Sequence, residues 1–413
     1  MKVAVIGGGW AGIAAAVELT AAGIDTTLFE AGRVLGGRAR SISTQGKTLD
    51  NGQHILLGAY AETLALMRQI GANPDVCFTR HPLAVIDNAG FRMVLPKCPA
   101  PLNVAWGLLS AQGVSLSEKI ATAVWMQKVK WQKFQLDADC TVAEWLDAAG
   151  QTGQLRKHLW EPLCLAALNT PAERASAQIF ANVLRDSLGN AQREATDLLL
   201  PRVPLGQLIA EPAHSWLSAN GAKVQLGSRI ETLTELPSGI TLDGETFDVV
   251  ILATAPQHAA KLWPKITAND EFEPIATVYL QFEAKTKLEF PLINLFGHHG
   301  QWVVDRGHGL IACVLSGHGD WESLDELVLT QTLQKELSLN APLLWHKVVK
   351  EKRATFSCRP NTSRPMAQTS HPHLWLAGDT TWAEYPATLE GAVRSGRYAA
   401  QQILDLYSQN KAN

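Results

Sequence analysis

The first thirty residues carry the feature that most constrains how this chain folds. An apolar segment, Met1 to Ile6, runs into the turn GGGWAG at residues 7–12, and an alanine-rich segment follows. A second apolar segment, Thr26 to Phe29, comes next and ends at Glu30. This succession of strand, G-x-G-x-x-G turn, helix and strand predicts a βαβ unit that binds a dinucleotide.

Each residue type in this motif has a physical role. Gly7 permits the tight turn, Gly9 lets the backbone approach a pyrophosphate, and Gly12 lets the helix pack closely on the strand. The helix N-terminus offers free N–H groups to the anion. Glu30 can accept hydrogen bonds from both ribose hydroxyls, and its charge disfavours a 2′-phosphate. The sequence therefore predicts FAD or NAD and excludes NADP.

The segment after Glu30 favours FAD over NAD. Residues 36–40 read GGRAR and resemble the extended motif of the amine oxidase and phytoene desaturase flavoprotein superfamily. In that superfamily the Gly-Gly-Arg segment lies along the pyrophosphate, so the resemblance implies that Arg38 helps to neutralise it. Gly378-Asp379, at the end of an apolar strand, matches the C-terminal motif of the same superfamily. This implies that Asp379 binds the ribityl chain or a water on the pyrophosphate.

The motifs and the resemblance together define a predicted FAD site. Its members come from both ends of the chain and from internal segments, so the fold has to bring them together. The predicted cofactor-binding residues are Gly7, Gly9, Trp10, Ala11, Gly12, Glu30, Ala31, Gly37, Arg38, Gly52, Gln53, His54, Ile230, Gly378, Asp379, Ala387, Thr388 and Ala392.

The order of strand-like and helical segments predicts an α/β fold in two parts. We expect a discontinuous Rossmann-type FAD-binding domain with an inserted α+β substrate domain, as in amine oxidases and phytoene desaturases. The FAD-binding domain is expected to take residues 1–78, 206–262 and 356–407, the substrate domain 79–205 (a hairpin plus helices) and 263–355, and a disordered tail 408–413.

Composition is typical of a soluble enzyme with large cores. The chain has 413 residues, 46% of them hydrophobic, and its net charge of −3 gives no footprint for nucleic acid. Six cysteines without C-x-x-C spacing or a metal-binding cluster indicate reduced, mostly buried thiols in a cytoplasmic protein. No apolar run reaches the roughly 18 residues of a spanning helix. Because the first strand is predicted cofactor-binding structure, we expect no signal peptide.

Four further segments narrow the resemblance. They resemble the hydroxysqualene dehydroxylases, the FAD-dependent enzymes of bacterial squalene and hopanoid biosynthesis, and with them the resemblance covers nearly the whole chain. One departure is Thr380, where an aromatic residue is expected; Trp382 could replace it at the cofactor rim. The segments are DNGQHILLG (50–58), LWEPLCLAALNT (159–170), FANVLRDS (180–187) and PATLEGAVRSG (386–396).

This resemblance implies a reductive reaction. Hydroxysqualene, a thirty-carbon allylic alcohol, would lose its hydroxyl, and the allylic cation would receive a hydride from N5 of the reduced flavin to give squalene. With a single dinucleotide fingerprint in the sequence, the electron donor is unknown. Two alternatives stay open: an oxidative isoprenoid desaturase or amine oxidase of the same fold, and a non-catalytic flavin-binding partner in a lipid-synthesis complex.

A leaving hydroxide needs a proton donor, and a general acid contributes about 10²–10⁴-fold. His54 is one candidate for this acid, but a hydrogen bond to the backbone without catalysis is an equally good interpretation of this residue. For Glu161, a buried ion pair with Arg174 or Arg185 is favoured over catalysis. The candidates for the acid are His54, Glu161, Asp186 and Tyr385.

Two other polar residues have expected roles near the cofactor. Asp50 is expected to cap a turn or to hold Arg38. Thr388, after Pro386, can bond a free amide at a helix start. The resemblance places this helix start beneath the N1–C2=O edge of the flavin, where its partial positive charge favours the anionic reduced form. The alternative is an ordinary buried helix that packs through Gly391, Ala392 and Gly396.

A substrate of this kind resides in membranes, and one segment could meet a bilayer. Residues 123–134 mix tryptophan, phenylalanine and lysine at helical spacing, and the apolar segment 102–109 precedes them. The pattern fits an interfacial helix that carries Trp125, Lys128, Lys130, Trp131 and Lys133, and it fits a core-facing amphipathic helix equally well. A peripheral location on the inner face of the cell membrane is the expectation that follows from the first interpretation.

Overall fold

A parallel sheet assembled from three distant parts of the chain organises the fold. The structure is a computed structural model that describes residues 1–266, 271–299 and 301–412. The sheet has a central, buried strand from the N-terminus, and its order confirms the predicted α/β class. Across the sheet the strands are β10 (Lys223–Leu226), β2 (Asp25–Glu30), β1 (Lys2–Ile6), β14 (Val249–Leu252) and β20 (Leu374–Leu376).

Helices cover one face of this sheet, and a small sheet covers the other. The helical side holds the alanine-rich first helix against the last helix, with two others beside them. These helices are α1 (Trp10–Ala21), α2 (Ala61–Gln69), α9 (Glu211–Ala219) and α12 (Leu389–Ala412). The opposite face packs on β11 (Leu233–Leu236), β12 (Gly239–Leu242), β13 (Glu245–Phe247) and α10 (Pro256–Leu262).

The C-terminus differs from the prediction. Helix α12 continues to Ala412, so the expectation of a disordered tail from Ser408 is wrong for residues 408–412. Residue 413 lies outside the described residues.

A second sheet, which is antiparallel, lies in the half of the fold away from the parallel sheet. Helix α11 (Glu326–Leu337) packs on one face of it, and the opposite face turns toward the helical region. In order the strands are β16 (Leu292–Asn294), β17 (Trp302–Asp305), β18 (Leu310–Ser316), β15 (Phe272–Gln281) and β19 (Trp345–Phe356).

Helices dominate residues 101–190, as the pattern predicts, and they share a core with the antiparallel sheet. They are α4 (Leu102–Ser110), α5 (Leu116–Trp131), α6 (Val142–Ala148), α7 (Glu161–Leu168) and α8 (Ala177–Asp186), with one π-helical turn before α7 (Arg156–Trp160) and another before α9 (Gly206–Ala210). Short elements complete the fold: β3 (Ser41–Thr44), β4 (Lys47–Asp50), β5 (Leu56–Leu57), α3 (Pro74–Cys77), β6 (Phe78–His81), β7 (Ala84–Ile86), β8 (Arg92–Val94), β9 (Leu198–Pro201) and 3-10 turns at Arg193–Thr196, Asp320–Ser323 and Asp379–Thr381.

The parallel strands all fall within the three segments assigned to the FAD-binding domain, although the domain boundaries themselves stay a prediction. All six cysteines are free thiols, and Cys98 and Cys140 are the two that are not fully buried.

Candidate active site

A cavity of about 890 Å³ lies where the two halves of the fold meet. One part of its wall comes from the carboxyl ends of the parallel strands, including Ile6 and Glu30, where ligands of open α/β sheets bind. The other part, which we call the apolar lobe, belongs to the core shared by the helices and the antiparallel sheet. The lobe is defined by Leu83, Leu163, Phe180, Leu292, Trp302 and Val314.

Every predicted cofactor residue except Gly12 lines this cavity. Gly12 lies behind the turn, where an added Cβ would come 1.9 Å from the carbonyl oxygen of Gly7. Its role is the close packing of α1 on β1, which the motif predicts. The assignment of the lining residues to cofactor contacts stays a prediction that this placement supports.

Gly9 shows why the turn fits a ligand. Its φ of −73° is accessible to any residue, and apart from its two chain neighbours an added Cβ would meet no atom of the described residues within 4 Å. Neither backbone strain nor packing therefore requires glycine at this position. The open space beside it belongs to the cavity, at the N-terminus of α1, where a pyrophosphate fits.

Glu30 is fixed in place by the loops that surround the turn. Its Oε2 accepts a hydrogen bond from the Gly8 amide at 2.7 Å, and its Oε1 accepts one from the Gly32 amide at 2.6 Å. Each carboxylate oxygen keeps a second lone pair for a ligand hydroxyl. The arrangement is compatible with ribose binding and orients the carboxylate before a ligand arrives.

An ion pair joins the N-terminal and C-terminal motifs. Arg38 Nη2 lies 2.7 Å from Asp379 Oδ2, and Arg38 Nη1 donates to the carbonyl of Ala354. Asp379 raises the pKa of Arg38, so the guanidinium is charged at the cavity wall. The expected contact between Asp50 and Arg38 is wrong: Asp50 pairs with Arg306 at 3.2 Å.

Asp50 has the capping role that the sequence left as its other possibility. Its Oδ1 accepts from the Leu205 amide at 2.8 Å, just before a helical turn. Arg306 also donates to Gln53 Oε1 at 2.9 Å. The pair thus stabilises the segment that carries His54.

His54 combines a backbone hydrogen bond with a place in the cavity wall. Its Nδ1 lies 3.0 Å from the Gly52 carbonyl, which can only accept, so Nδ1 carries the hydrogen. Burial lowers the pKa of His54 and outweighs the hydrogen bond to Gly52 and the charge of Asp50, which act to raise it; Arg38 and Arg306 act in the same direction as burial. The resting imidazole is therefore neutral at pH 7 and has its Nε2 lone pair available.

The other acid candidates do not line the cavity. Glu161 pairs with Arg156 Nε at 2.7 Å; the expected partners, Arg174 and Arg185, bind other carboxylates. Arg156 is five residues before Glu161, across the π-helical turn.

Asp186 and Tyr385 form a pair of their own beside the cavity. The Tyr385 hydroxyl donates to Asp186 Oδ2, and burial raises the pKa of Tyr385. Ser187 and Ala387, which flank the pair in sequence, reach the wall. The catalytic roles of Asp186, Tyr385 and Glu161 stay predictions.

The start of α12 forms part of the wall, as the sequence predicts. Thr388 Oγ1 accepts a hydrogen bond from the Gly391 amide at 3.1 Å, which confirms the predicted cap. Thr380 and Trp382 are not in the wall, and Trp382 packs on Tyr398 with ring centroids 5.7 Å apart. Trp382 therefore does not replace the missing aromatic residue there.

Sequence reasoning missed the apolar lobe. Leu83 to Val85 come from the predicted hairpin, but nothing in their pattern distinguishes a cavity wall from a core. Trp302, in a strand that we did not predict, was missed as well. These positions line a cavity because two sheets from distant parts of the chain meet there, which no local pattern in the sequence shows.

Comparisons with known proteins agree with this geometry. Residues 10–404 match the family described as flavin containing amine oxidoreductase. The chain is 30% identical to a hydroxysqualene dehydroxylase of Rhodopseudomonas palustris, over 97% of this chain and 98% of that one. It is 25% identical to a chloroplast 15-cis-phytoene desaturase of Arabidopsis thaliana, over 98% of this chain and 80% of that one.

Solved structures show the same fold at low identity. A putrescine oxidase structure superposes with a TM-score of 0.71 at 16% identity, covering 98% of this chain and 99% of that one. A putative protoporphyrinogen oxidase from Exiguobacterium sp. 255-15 gives 0.70 at 15% identity, covering 97% and 98%. These structures confirm the predicted fold, and the match to the flavin containing amine oxidoreductases confirms FAD as the cofactor.

Gly9 provides a test of the pyrophosphate position. Gly9→Val should fold with the thermal midpoint of the wild-type apoprotein but purify without flavin absorbance, because the side chain occupies only the ligand's space. The wild type should be yellow and release FAD, not FMN, on heating. In Gly12→Ala the added Cβ would clash with backbone, so this variant should also lower the thermal midpoint, which Gly9→Val leaves unchanged. Full flavin absorbance in Gly9→Val would place the pyrophosphate elsewhere.

Proposed function

The chain belongs to the flavin containing amine oxidoreductases and is an FAD-dependent oxidoreductase, and from this premise we propose that it reduces hydroxysqualene to squalene. The observation that carries the proposal is the apolar lobe, which joins the predicted flavin site in one cavity and has the character that a thirty-carbon hydrocarbon requires. The hydroxysqualene dehydroxylases of R. palustris and Sinorhizobium fredii, similar along their whole length, support this substrate.

The reaction balances as a two-electron reduction. The allylic C–O bond breaks, a hydride forms the new C–H bond, and a proton converts the leaving hydroxide to water. Bound FAD, reduced by an external two-electron donor, supplies the hydride. The protein's own residues have to hold the alcohol, deliver the proton and exclude water from the allylic cation.

His54 is the residue best placed to act on the hydroxyl. In its neutral form, Nε2 accepts a hydrogen bond from the substrate hydroxyl and so orients it. An imidazolium that has taken up a proton from solvent donates it from Nε2 to the leaving oxygen, which then departs as water. The lobe protects the allylic cation from capture by water, and aromatic rings such as Phe180 attract positive charge.

Anaerobic mixing tests the proposed reaction. The protein with reduced flavin should be reoxidised by hydroxysqualene, and squalene should appear in the lipid extract in equal amount. A desaturase, which the similarity to phytoene desaturases keeps as the second candidate, would instead bleach oxidised flavin when given a polyene precursor. A non-catalytic flavin-binding partner would show neither change.

The proton donor can be identified from a pH profile. Because burial lowers the pKa of His54 from 6.5, the protonated imidazole becomes abundant only as the pH falls below that value. If His54 is the acid, single-turnover rates should rise as the pH is lowered and fall as it is raised. His54→Ala should bind FAD, react at least about tenfold more slowly and lose this dependence.

Two variants complete that experiment. His214→Ala, at an exposed position of α9, should retain the wild-type profile. Glu161→Gln should be slow only if Glu161 is the acid. A wild-type rate and profile in His54→Ala would transfer the role to Asp186 or Tyr385.

A surface on α4 and α5, which we call the apolar face, supports contact with a lipid bilayer. Its side chains repeat at helical spacing and are 52–76% exposed. Trp125, which we expected on such a surface, is instead buried in the core against Trp160, so the helix serves both of its predicted roles. No helix among the described residues has the length and hydropathy needed to cross a membrane. The apolar face comprises Leu102, Trp106, Leu109, Leu116, Ile120, Val124 and Trp131.

The apolar face lies close to the cavity and carries positive charge at one end. Asn103, on the buried side of α4, donates to Thr196 Oγ1 at 3.4 Å, and Thr196 lines the cavity. Lys128, Lys130 and Lys133 are exposed near Trp131. Each lysine near an anionic leaflet contributes about 1 kcal/mol. We propose that the protein docks here on anionic membranes, from which it takes its substrate.

Liposome sedimentation tests this docking. Binding should be stronger to anionic than to neutral vesicles and should weaken with salt. The triple change of Lys128, Lys130 and Lys133 to glutamine should reduce binding without loss of flavin. The same change at the exposed Lys285, Lys287 and Lys352 is the charge-matched control. Equal binding by the two triple variants would assign the apolar face another role.

A further inference from the structure

An arginine from outside the cavity reaches the segment that carries His54. Arg306 does not line the cavity, and its side chain is 15% exposed. Its Nη1 lies 3.2 Å from Asp50 Oδ2 and donates a hydrogen bond to Gln53 Oε1 at 2.9 Å. A single nitrogen therefore contacts both ends of the stretch 50–53, which His54 directly follows.

Asp50 depends on this arginine for the balance of its charge. The Asp50 side chain is 1% exposed, and its Oδ2 makes no hydrogen bond among the described residues, so its contact with Arg306 is an ion pair alone. Its Oδ1 accepts from the amide of Leu205, which is a neutral donor. Removal of the cation from a buried ion pair is strongly destabilising, because the remaining charge has no compensation.

Gln53 carries the contact on to His54. The Gln53 side chain donates from Nε2 to the His54 carbonyl at 2.8 Å, and its backbone amide donates to Thr277 Oγ1 in β15 at 3.1 Å. The imidazole Nδ1 lies 3.0 Å from the Gly52 carbonyl. The orientation of the ring therefore depends on the backbone of residues 52–54, which Gln53 ties both to β15 and to Arg306.

The loop that presents Arg306 has little conformational freedom. It joins β17 to β18, and residues 307–309 have φ values between 53° and 81°. The carboxylate of Asp305 accepts from the amides of Gly307 at 2.8 Å and Leu288 at 2.9 Å. The antiparallel sheet thus fixes the origin of the guanidinium, whereas the segment that it binds comes from the N-terminal part of the chain.

We propose that Arg306 is the positioning residue for His54. From the antiparallel sheet it binds Asp50 and Gln53 together, and this fixes the backbone to which the imidazole is bonded. The Nε2 atom is thereby kept free for the hydroxyl of the isoprenoid alcohol. The inference rests on the proposed function and extends it, because it assigns the group that orients the proposed acid.

The charges around His54 give this contact a second effect that can be measured. Asp50 acts to raise the pKa of His54, and Arg38 and Arg306 act to lower it. Loss of Arg306 removes one of the lowering charges and leaves Asp50 unbalanced, so the pKa of His54 should rise. Loss of Asp50 and Arg306 together removes one charge of each sign, and the two effects on the pKa oppose each other.

Nuclear magnetic resonance of the oxidised holoenzyme, with nitrogen-15 in its histidine rings, tests the position of His54 without substrate. The His54 signals are assigned from their absence in His54→Gln. Above its pKa, the wild-type ring should carry its hydrogen on Nδ1, as the Gly52 contact requires. Arg306→Met should release part of the ring to the form with hydrogen on Nε2 and raise the pKa of His54 by about one pH unit.

The double variant Asp50→Asn/Arg306→Met separates position from charge. It leaves no buried charge, so it also serves if Arg306→Met does not fold. It should lose the Nδ1–H preference as the single variant does, but keep a pKa of His54 close to that of the wild type. Its single-turnover reaction with hydroxysqualene should be slower by about tenfold, the low end for loss of a general acid.

Two further variants are controls. Because one nitrogen makes both contacts of Arg306, Arg306→Lys should retain most of the Nδ1–H form. Arg174 pairs with Glu273, whose side chain is also 1% exposed, so Arg174→Met leaves a buried carboxylate unbalanced as well. Neither residue of that pair acts on the pKa of His54. Arg174→Met should therefore keep the wild-type tautomer and the wild-type pKa of His54.

A wild-type tautomer in both Arg306→Met and the double variant overturns the inference. Loss of the Nδ1–H form in Arg174→Met also overturns it, because any broken ion pair would then have the same effect. A changed tautomer with a wild-type reaction rate would show that the orientation of His54 does not matter for the reaction. The proposed function is decided separately by whether the wild type forms squalene, since the magnetic resonance measurements need no substrate.

Discussion

The cavity depends on the close contact between the first and last helices. An added Cβ at Gly396 in α12 would come 2.0 Å from the Ala11 carbonyl oxygen in α1, so any larger residue would push the helices apart. Helix α1 brings the glycine-rich turn to one side of the cavity, and α12 brings Thr388 to another. The distance between these walls is therefore set by a packing contact behind them.

The sequence predicted features that depend on contiguous residues. The glycine-rich turn, the cap at Thr388 and the helical character of 101–190 all follow from local rules for backbone and side chain, and the structure contains them. Ion pairs between residues far apart in the sequence were harder to predict. The sequence suggested Asp50 as a partner of Arg38, and only the arrangement of β20 beside β14 places Asp379 next to it.

Helical periodicity identified an amphipathic helix in α5 but not which side would be buried. Trp125 and Trp131 are both aromatic residues in one pattern, yet Trp125 packs on Trp160 and Trp131 is 76% exposed. The neighbours that decide this come from the helices around α5 and have no signature within it. The apolar lobe escaped prediction for the same reason, because a buried cavity wall and a solid core have the same composition.

Burial affects both His54 and the substrate, and both effects suit the proposed chemistry. The same low-polarity surroundings that lower the pKa of His54 exclude water from a reactive carbon. A protonated His54 is costly there when the cavity is empty. A departing hydroxide beside the imidazole would favour its protonated form, since opposite charges attract strongly where water is absent. Proton transfer is then coupled to the cleavage of the C–O bond, and free imidazolium is scarce in the resting protein.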